Sequence, residues 1–185
     1  LKKIEIYSDN LLNEKILNFE NNKDELFSIV KNNQIYTTLN KSLSSNKFFK
    51  RIKIEEKYIE LDDYNLIINT DYKSALTTKY FSKKIEKTYN SLAYTTVINH
   101  EQIPNDIAIQ IFTKFGPLAF LPISSNKTSI VYSIHNSQKN NKAKIIEMIK
   151  KYNFKYKIKK VEKLETFDLK SFILRSYYHK NILAF

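Results

Sequence analysis

Cysteine and tryptophan are absent from this chain, and glycine occurs once, at Gly116, in 185 residues. Without cysteine there is no disulfide and no thiolate metal site, a composition that fits a reducing compartment. With a single glycine, neither a phosphate loop nor a G-x-G-x-x-G fingerprint can be written. No G-x-S-x-G or H-E-x-x-H is present either. Long apolar runs are also lacking: none approaches the roughly 20 residues of a membrane-spanning helix. No signal peptide is visible, because Leu1-Lys-Lys-Ile-Glu-Ile-Tyr7 alternates in the manner of a strand. Arginine is nearly missing. Only Arg51 and Arg175 contribute to the 31 basic residues, so the net charge of +12 is carried by lysine. Arginine is the residue best suited to phosphates and base edges, and the lysines are scattered. Nucleic acid is therefore not the favoured partner, and the charge suits an anionic membrane surface equally well. Lys, Asn, Ile, Tyr and Phe are enriched together, as a base-composition bias would produce.

What is present is enough for a real core. Hydrophobic residues make up 42% of the chain, and the 13 Tyr and 12 Phe are too many for a solvated tail. Residues 2–8 and 15–19 read as paired strands around Ser8-Asp-Asn10, Asp24 as the cap of a short turn, and Leu26-Phe-Ser-Ile-Val30 as strand-like. From Asn32 the period changes: Ile35, Leu39 and Leu43 predict an amphipathic helix ending near Ser44-Ser45. Short strands follow at about 50–54, 57–61 and 65–69, then a helix at 74–81. Strands are expected at 85–99, 107–113, 117–123 and 127–134, a second helix at 138–152, and strands near 155–164, 166–174 and 180–185. No internal repeat and no clean linker is visible. The fold class is α+β, with a large mixed or antiparallel sheet and few helices.

Residues able to carry chemistry are sparse. His100, His135 and His179 have no metal-ligand spacing and read as surface or loop residues, so no metal site is assigned. Asp62 and Asp63, read as neighbours on a strand, would point to opposite faces. No catalytic acid, base or nucleophile is assigned. The densest pattern is Phe115-Gly-Pro-Leu-Ala-Phe-Leu-Pro-Ile123, which holds the one glycine and two of the three prolines, Pro117 and Pro122. On residue types alone it is a tight turn between core strands, with glycine permitting the corner and proline ending the ladder.

Three segments, in order, carry a resemblance. Leu26-Phe-Ser-Ile-Val-Lys-Asn32 and the helix through Leu43 are similar to "LGYIVEN-R-x-L…AL…L". Leu66-Ile-Ile-Asn-Thr-Asp-Tyr-Lys-Ser74 looks like "L-V-I-G-A-D-G-x-x-S". Gln110-Ile-Phe-Thr-Lys-Phe-Gly-Pro-Leu-Ala-Phe-Leu-Pro-Ile123, leading into Thr128-Ser-Ile-Val-Tyr-Ser133, is similar to "Q-x-F-T-x-x-G-P-x-A-F-L-P-L…S-x-V-W-S". These patterns belong to the flavin-dependent aromatic hydroxylases of ubiquinone biosynthesis, the group containing 2-octaprenyl-6-methoxyphenol hydroxylase. Tyr177–Phe185 also resembles the strand that in that family runs into "G-D-A-A-H". Asn69 and Tyr72 stand where the family has glycine, and Asn33 where it commonly has arginine.

The resemblance implies the middle portion of a two-domain, para-hydroxybenzoate hydroxylase-like monooxygenase fold. Residues 1–82 would be the remainder of an FAD-binding domain lacking its fingerprint, 83–174 a substrate-binding sheet domain, and 175–185 a return strand into the FAD domain. It implies FAD as cofactor, held mainly by motifs outside these residues, and NAD(P)H as reductant. Asp71, Ser74 and Pro122 would contact the cofactor. Gln110, Phe112, Gly116, Pro117 and Phe120 would line the substrate cavity, with the inward face of the strands left open. The implied reaction is hydroxylation of a phenolic ring on a polyprenylated ubiquinone precursor through a flavin hydroperoxide. The implied location is cytoplasmic, at the periphery of the inner membrane, with a membrane contact or a ubiquinone-biosynthesis complex as partner. Both chain ends read as cuts in a longer protein, and the isolated 185 residues are expected to be inactive. The alternative is a basic, non-enzymatic α+β binding module.

Overall fold

The computed structural model describes residues 1–9, 14–21, 24–53, 61–135 and 141–185. These fall into two compact units: residues 1–37 with 89–169, and residues 38–88 with 170–185. Strands β4 (Lys84–His100) and β9 (Glu165–Leu174) each carry the chain from one unit to the other.

The first unit is built on a mixed sheet. Its strands are β1 (Lys3–Ser8), β2 (Lys15–Glu20), β5 (Ile107–Thr113), β6 (Gly116–Ser124), β7 (Lys127–His135), β4 and β8 (Ile158–Val161). They lie in the order β2-β1-β5-β6-β7-β4-β8, with β9 also paired to β4. All neighbouring pairs with a defined register are antiparallel except β1 on β5, which is parallel. Alternation sets the two faces. Tyr7, Ile109, Ile111, Leu118, Phe120, Ile130, Tyr132, Tyr94 and Ile98 point to one side and are buried there. Helix α3 (Lys142–Tyr152) contributes Ile145, Met148 and Ile149 to this core. Asn141 caps it, its side chain accepting from Ala143 N–H at 2.9 Å, and Lys150 and Lys151 sit in the last turn, where cations suit the helix dipole.

Glu5 is a buried carboxylate at the edge of this core. Burial would raise its pKa, but Lys15 Nζ at 2.6 Å, the Tyr7 hydroxyl at 2.8 Å and Lys3 Nζ at 3.2 Å outweigh that and lower it to about 2. Burial and the same bond push the Tyr7 hydroxyl up to about 12.

The second unit contains β3 (Ile67–Asn69), α2 (Ala75–Tyr80), β10 (Tyr178–His179) and β11 (Ile182–Ala184). A three-stranded sheet runs β10-β11-β3, with β11 parallel to β3. Phe81, Leu174, Ile182 and Ala184 form its core. Helix α1 (Asn32–Ser44) forms where the four-residue period placed it, yet Ile35, Leu39 and Leu43 remain exposed.

Several sequence expectations change. Leu26–Val30 pairs with no strand among the described residues; instead Leu26 N–H donates to Leu1 O and the N-terminal ammonium donates to Phe27 O. Residues 51–53 form no strand, and the strand expected at 57–61 falls mostly outside the described residues, as do Asn10, residue 54 and residues 138–140. Asp62 and Asp63 lie in a 3-10 turn, Leu61–Asp63, instead of a strand. The segment 155–164 yields only β8, because Asn153 folds the chain back: its amide donates to Tyr156 O and accepts from Tyr156 N–H. The terminal strand is a hairpin, since Lys180 at φ +50° makes a two-residue turn with Asn181. His100 is buried, not a surface residue: its Nδ1 is 2.7 Å from Glu101 O, its Nε2 is 3.0 Å from Thr128 Oγ1, and its ring lies against Tyr156.

Candidate functional site

The single glycine starts β6 at a two-residue hairpin, Lys114-Phe115, in which Thr113 pairs with Gly116. Gly116 has φ +140°, and a Cβ there would run into the carbonyl oxygen of Ser133 on β7. Backbone angle and close approach therefore both demand glycine. The Thr113 hydroxyl organises the turn: it donates to Gly116 O at 2.7 Å, accepts from Phe115 N–H at 3.2 Å and lies 3.0 Å from the Tyr132 hydroxyl. Asp9 accepts from Lys114 N–H at 2.9 Å and from the Tyr152 hydroxyl at 3.0 Å. Burial first, then the bond to Asp9, push the Tyr152 hydroxyl up to about 12. The prolines do not end the ladder. Strand β6 runs through both, with Pro117 opposite Phe112 and Pro122 just before a register shift against β7. At a strand start and at a bulge the missing N–H costs least.

The register divides the residues expected to line a cavity. Phe120 and Pro122 are buried on the helix side, and Phe120 stacks on Tyr156. Gln110, Phe112 and Pro117 point to the other face of the sheet, opposite the one on which α3 packs. There, Leu17, Ile6, Gln110, Ala119, Val131 and Thr95 form a continuous rung over six strands. At the usual strand spacing this rung is roughly 24 Å wide. Leu17, Phe112 and Pro117 are exposed and the other five half-buried. The Gln110 amide makes no hydrogen bond among the described residues. A cleft of about 320 Å³, lined by Thr95, Val97, Ser129, Glu162 and Glu165, adjoins this face. Ile6, Leu17, Ala119 and Val131 were not singled out from sequence. Each sits in an alternating strand, but only the cross-strand register puts them beside Gln110.

Asp71 and Ser74 belong to a separate site, the loop between β3 and α2. Asn69 is buried there. Its amide donates to Thr77 Oγ1 at 2.7 Å, and its carbonyl oxygen accepts from Ser74 Oγ at 3.1 Å and from Asp71 N–H at 3.3 Å. Ser74 Oγ also accepts from Thr77 N–H at 3.2 Å, capping α2, and Asp71 accepts from Lys73 N–H at 2.9 Å. The amide of Asn69 thus does work a glycine could not. The polar groups of Ser74 and Thr77 are turned on the loop itself, and Pro122 is buried within the first unit. Among the described residues no cluster of His, Asp or Glu could hold a metal ion, and no helix is long and apolar enough to cross a membrane.

No family of known proteins matches this chain, and no curated protein matches it. Solved structures do. PqsL of Pseudomonas aeruginosa, described as a probable FAD-dependent monooxygenase, superposes over 100% of this chain and 59% of its own, with TM-score 0.65 and 10% identity. Its complex with 2-aminobenzoylacetate gives TM-score 0.69 at 11% identity over the same shares. The flavin-dependent brominase Bmp2, as a triple mutant, superposes over 99% of this chain and 54% of its own, with TM-score 0.63 and 10% identity. The fold is that of part of the FAD-dependent monooxygenases. The chain spans little more than half the length of these structures, and at such identity the likeness is one of fold alone.

Proposed function

We propose that this chain is the substrate-side portion of a longer FAD-dependent aromatic monooxygenase. The observation that carries the reading is the largely apolar, half-buried face of the sheet opposite α3, with Gln110 at its centre, in a fold shared with FAD-dependent monooxygenases. FAD would be held chiefly by residues beyond these 185, with NAD(P)H as reductant, and would supply the oxygen chemistry. The residues of this chain would do the rest. Ile6, Phe112, Ala119 and Val131 would pack against an aromatic ring and exclude water. The Gln110 amide, able to donate and accept, would orient a ring hydroxyl. A wall of this kind needs no acid, base or nucleophile. The finer reading, a phenolic ring on a polyprenylated ubiquinone precursor as substrate, is supported by the residue pattern from Gln110 to Ile123.

The test is the full-length product reconstituted with FAD. A yellow protein whose NAD(P)H oxidation is stimulated by a prenylated phenol is expected. Gln110→Leu should then raise KM by about tenfold, the loss of one good hydrogen bond to substrate, with flavin absorbance unchanged. A product that stays colourless with FAD would overturn the reading. Stimulation only by unprenylated rings would overturn the substrate.

A further inference from the structure

The proposed function leaves unused a groove on the helix side of the same unit, between the β5–β6 turn and α3. It encloses about 370 Å³ and is lined by Lys114, Phe115, Lys144, Glu147, Met148 and Lys151. Lys144, Glu147 and Lys151 recur at helical spacing of three and four, so α3 presents them on one side. Lys114 faces them from the hairpin tip. Its ammonium lies 4.9 Å from the centre of the Phe115 ring, and Lys151 lies 5.9 Å from that of Tyr152. None of the three lysines takes part in an ion pair among the described residues.

The groove has fixed walls. Asp9 bonds the Lys114 amide on one side and the Tyr152 hydroxyl on the other, joining the turn to the end of α3. Its floor is apolar, from half-buried Phe115 and buried Met148. Three ammonium groups outnumber Glu147 and the Asp9 beneath it, and the same helix carries exposed Lys142 and Lys150.

We propose that this groove docks the chain on an anionic membrane, taking the phosphodiester headgroup of an acidic phospholipid. Charge complementarity carries the inference. Lysines act as point charges without arginine's paired donors, which suits attraction to a charged surface more than recognition of a defined nucleic-acid edge. The apolar floor gives the glycerol and upper acyl carbons something to touch. The groove opens on the side of the sheet away from Gln110 and Phe112, so docking leaves that face free. The inference does not depend on the flavin reading.

Vesicle co-sedimentation of the full chain tests it, comparing phosphatidylcholine with the same lipid containing about 30% phosphatidylglycerol. Binding is expected only to the acidic vesicles, weakening as salt shortens the screening length. Each lysine near an anionic leaflet is worth about fivefold in partitioning, so K114Q/K144Q/K151Q should lose about a hundredfold. Glu147→Gln should strengthen binding by about fivefold, a gain that misfolding cannot mimic. The charge-matched K157Q/K159Q/K160Q variant should bind like the parent. Equal losses in the two triple variants, no gain from Glu147→Gln, or equal binding to neutral vesicles would each overturn the proposal.

Discussion

Replacing Gly116 by alanine tests the reasoning about the β5–β6 turn most directly. At φ +140° an L-residue is strained, and its Cβ would meet Ser133 of β7, with the carbonyl carbon only 3.1 Å away. The backbone strain is about 1–3 kcal/mol. Forcing a methyl against a strand held on both sides adds about 1–3 kcal/mol more. The sum of about 2–6 kcal/mol compares with about 5–15 kcal/mol for the whole stability of a typical protein. With a urea dependence of about 2 kcal/mol per molar, the unfolding midpoint should fall by about 1–3 M at unchanged slope. Gly116→Asn should be no better, because asparagine's tolerance of positive φ lies near +57°, well short of this angle. The assay is equilibrium urea unfolding followed by circular dichroism. A midpoint for Gly116→Ala within about 0.3 M of the parent would refute both the angle and the close approach.

Three further outcomes are expected. Asn69→Gly should cost about 1–3 kcal/mol, because Thr77 and Ser74 lose buried partners; amide exchange at residues 71–77 should speed up, and unchanged protection would show that the loop does not need that side chain. Phe120→Ala should cost about 3–5 kcal/mol and Phe112→Ala under about 1 kcal/mol, since they lie on opposite faces; equal urea midpoints would refute the register. The Glu5 carboxyl, lowered from 4.5 to about 2 in the fold, contributes about 3 kcal/mol above pH 4.5 that is lost as pH falls toward 2. Glu5→Gln should therefore be less stable at neutral pH and match the parent near pH 2, and a pH-independent difference between the two would count against the ion-pair account.

Periodicity alone was enough to locate α1, β4, β5, β7 and β9, and it made the run from Phe115 to Ile123 conspicuous. These segments are long or strictly alternating, and their pattern does not depend on what they pack against. The segments Leu26–Val30 and 51–53 misled for the opposite reason. A few β-branched or aromatic residues resemble a strand, yet a strand exists only where a partner completes its hydrogen bonds. His100 was read as a surface residue because a lone histidine carries no sign of burial; Thr128 and Tyr156, which enclose it, are 28 and 56 residues away.

By itself the sequence determined that this is an α+β protein rich in strands, without disulfides, whose one glycine marks a backbone position closed to other residues. Local sterics and residue chemistry are enough for that. The tertiary structure decided which face of the sheet is covered. Alternation says that Gln110 and Phe112 oppose Ile109 and Ile111, but not which set meets helix α3, because that depends on contacts distant in the chain. It likewise decided that Asn69 ties its loop together, and that Lys114 faces Lys144 and Lys151 across a groove. Those pairings are set by the packing of elements, which no local pattern encodes.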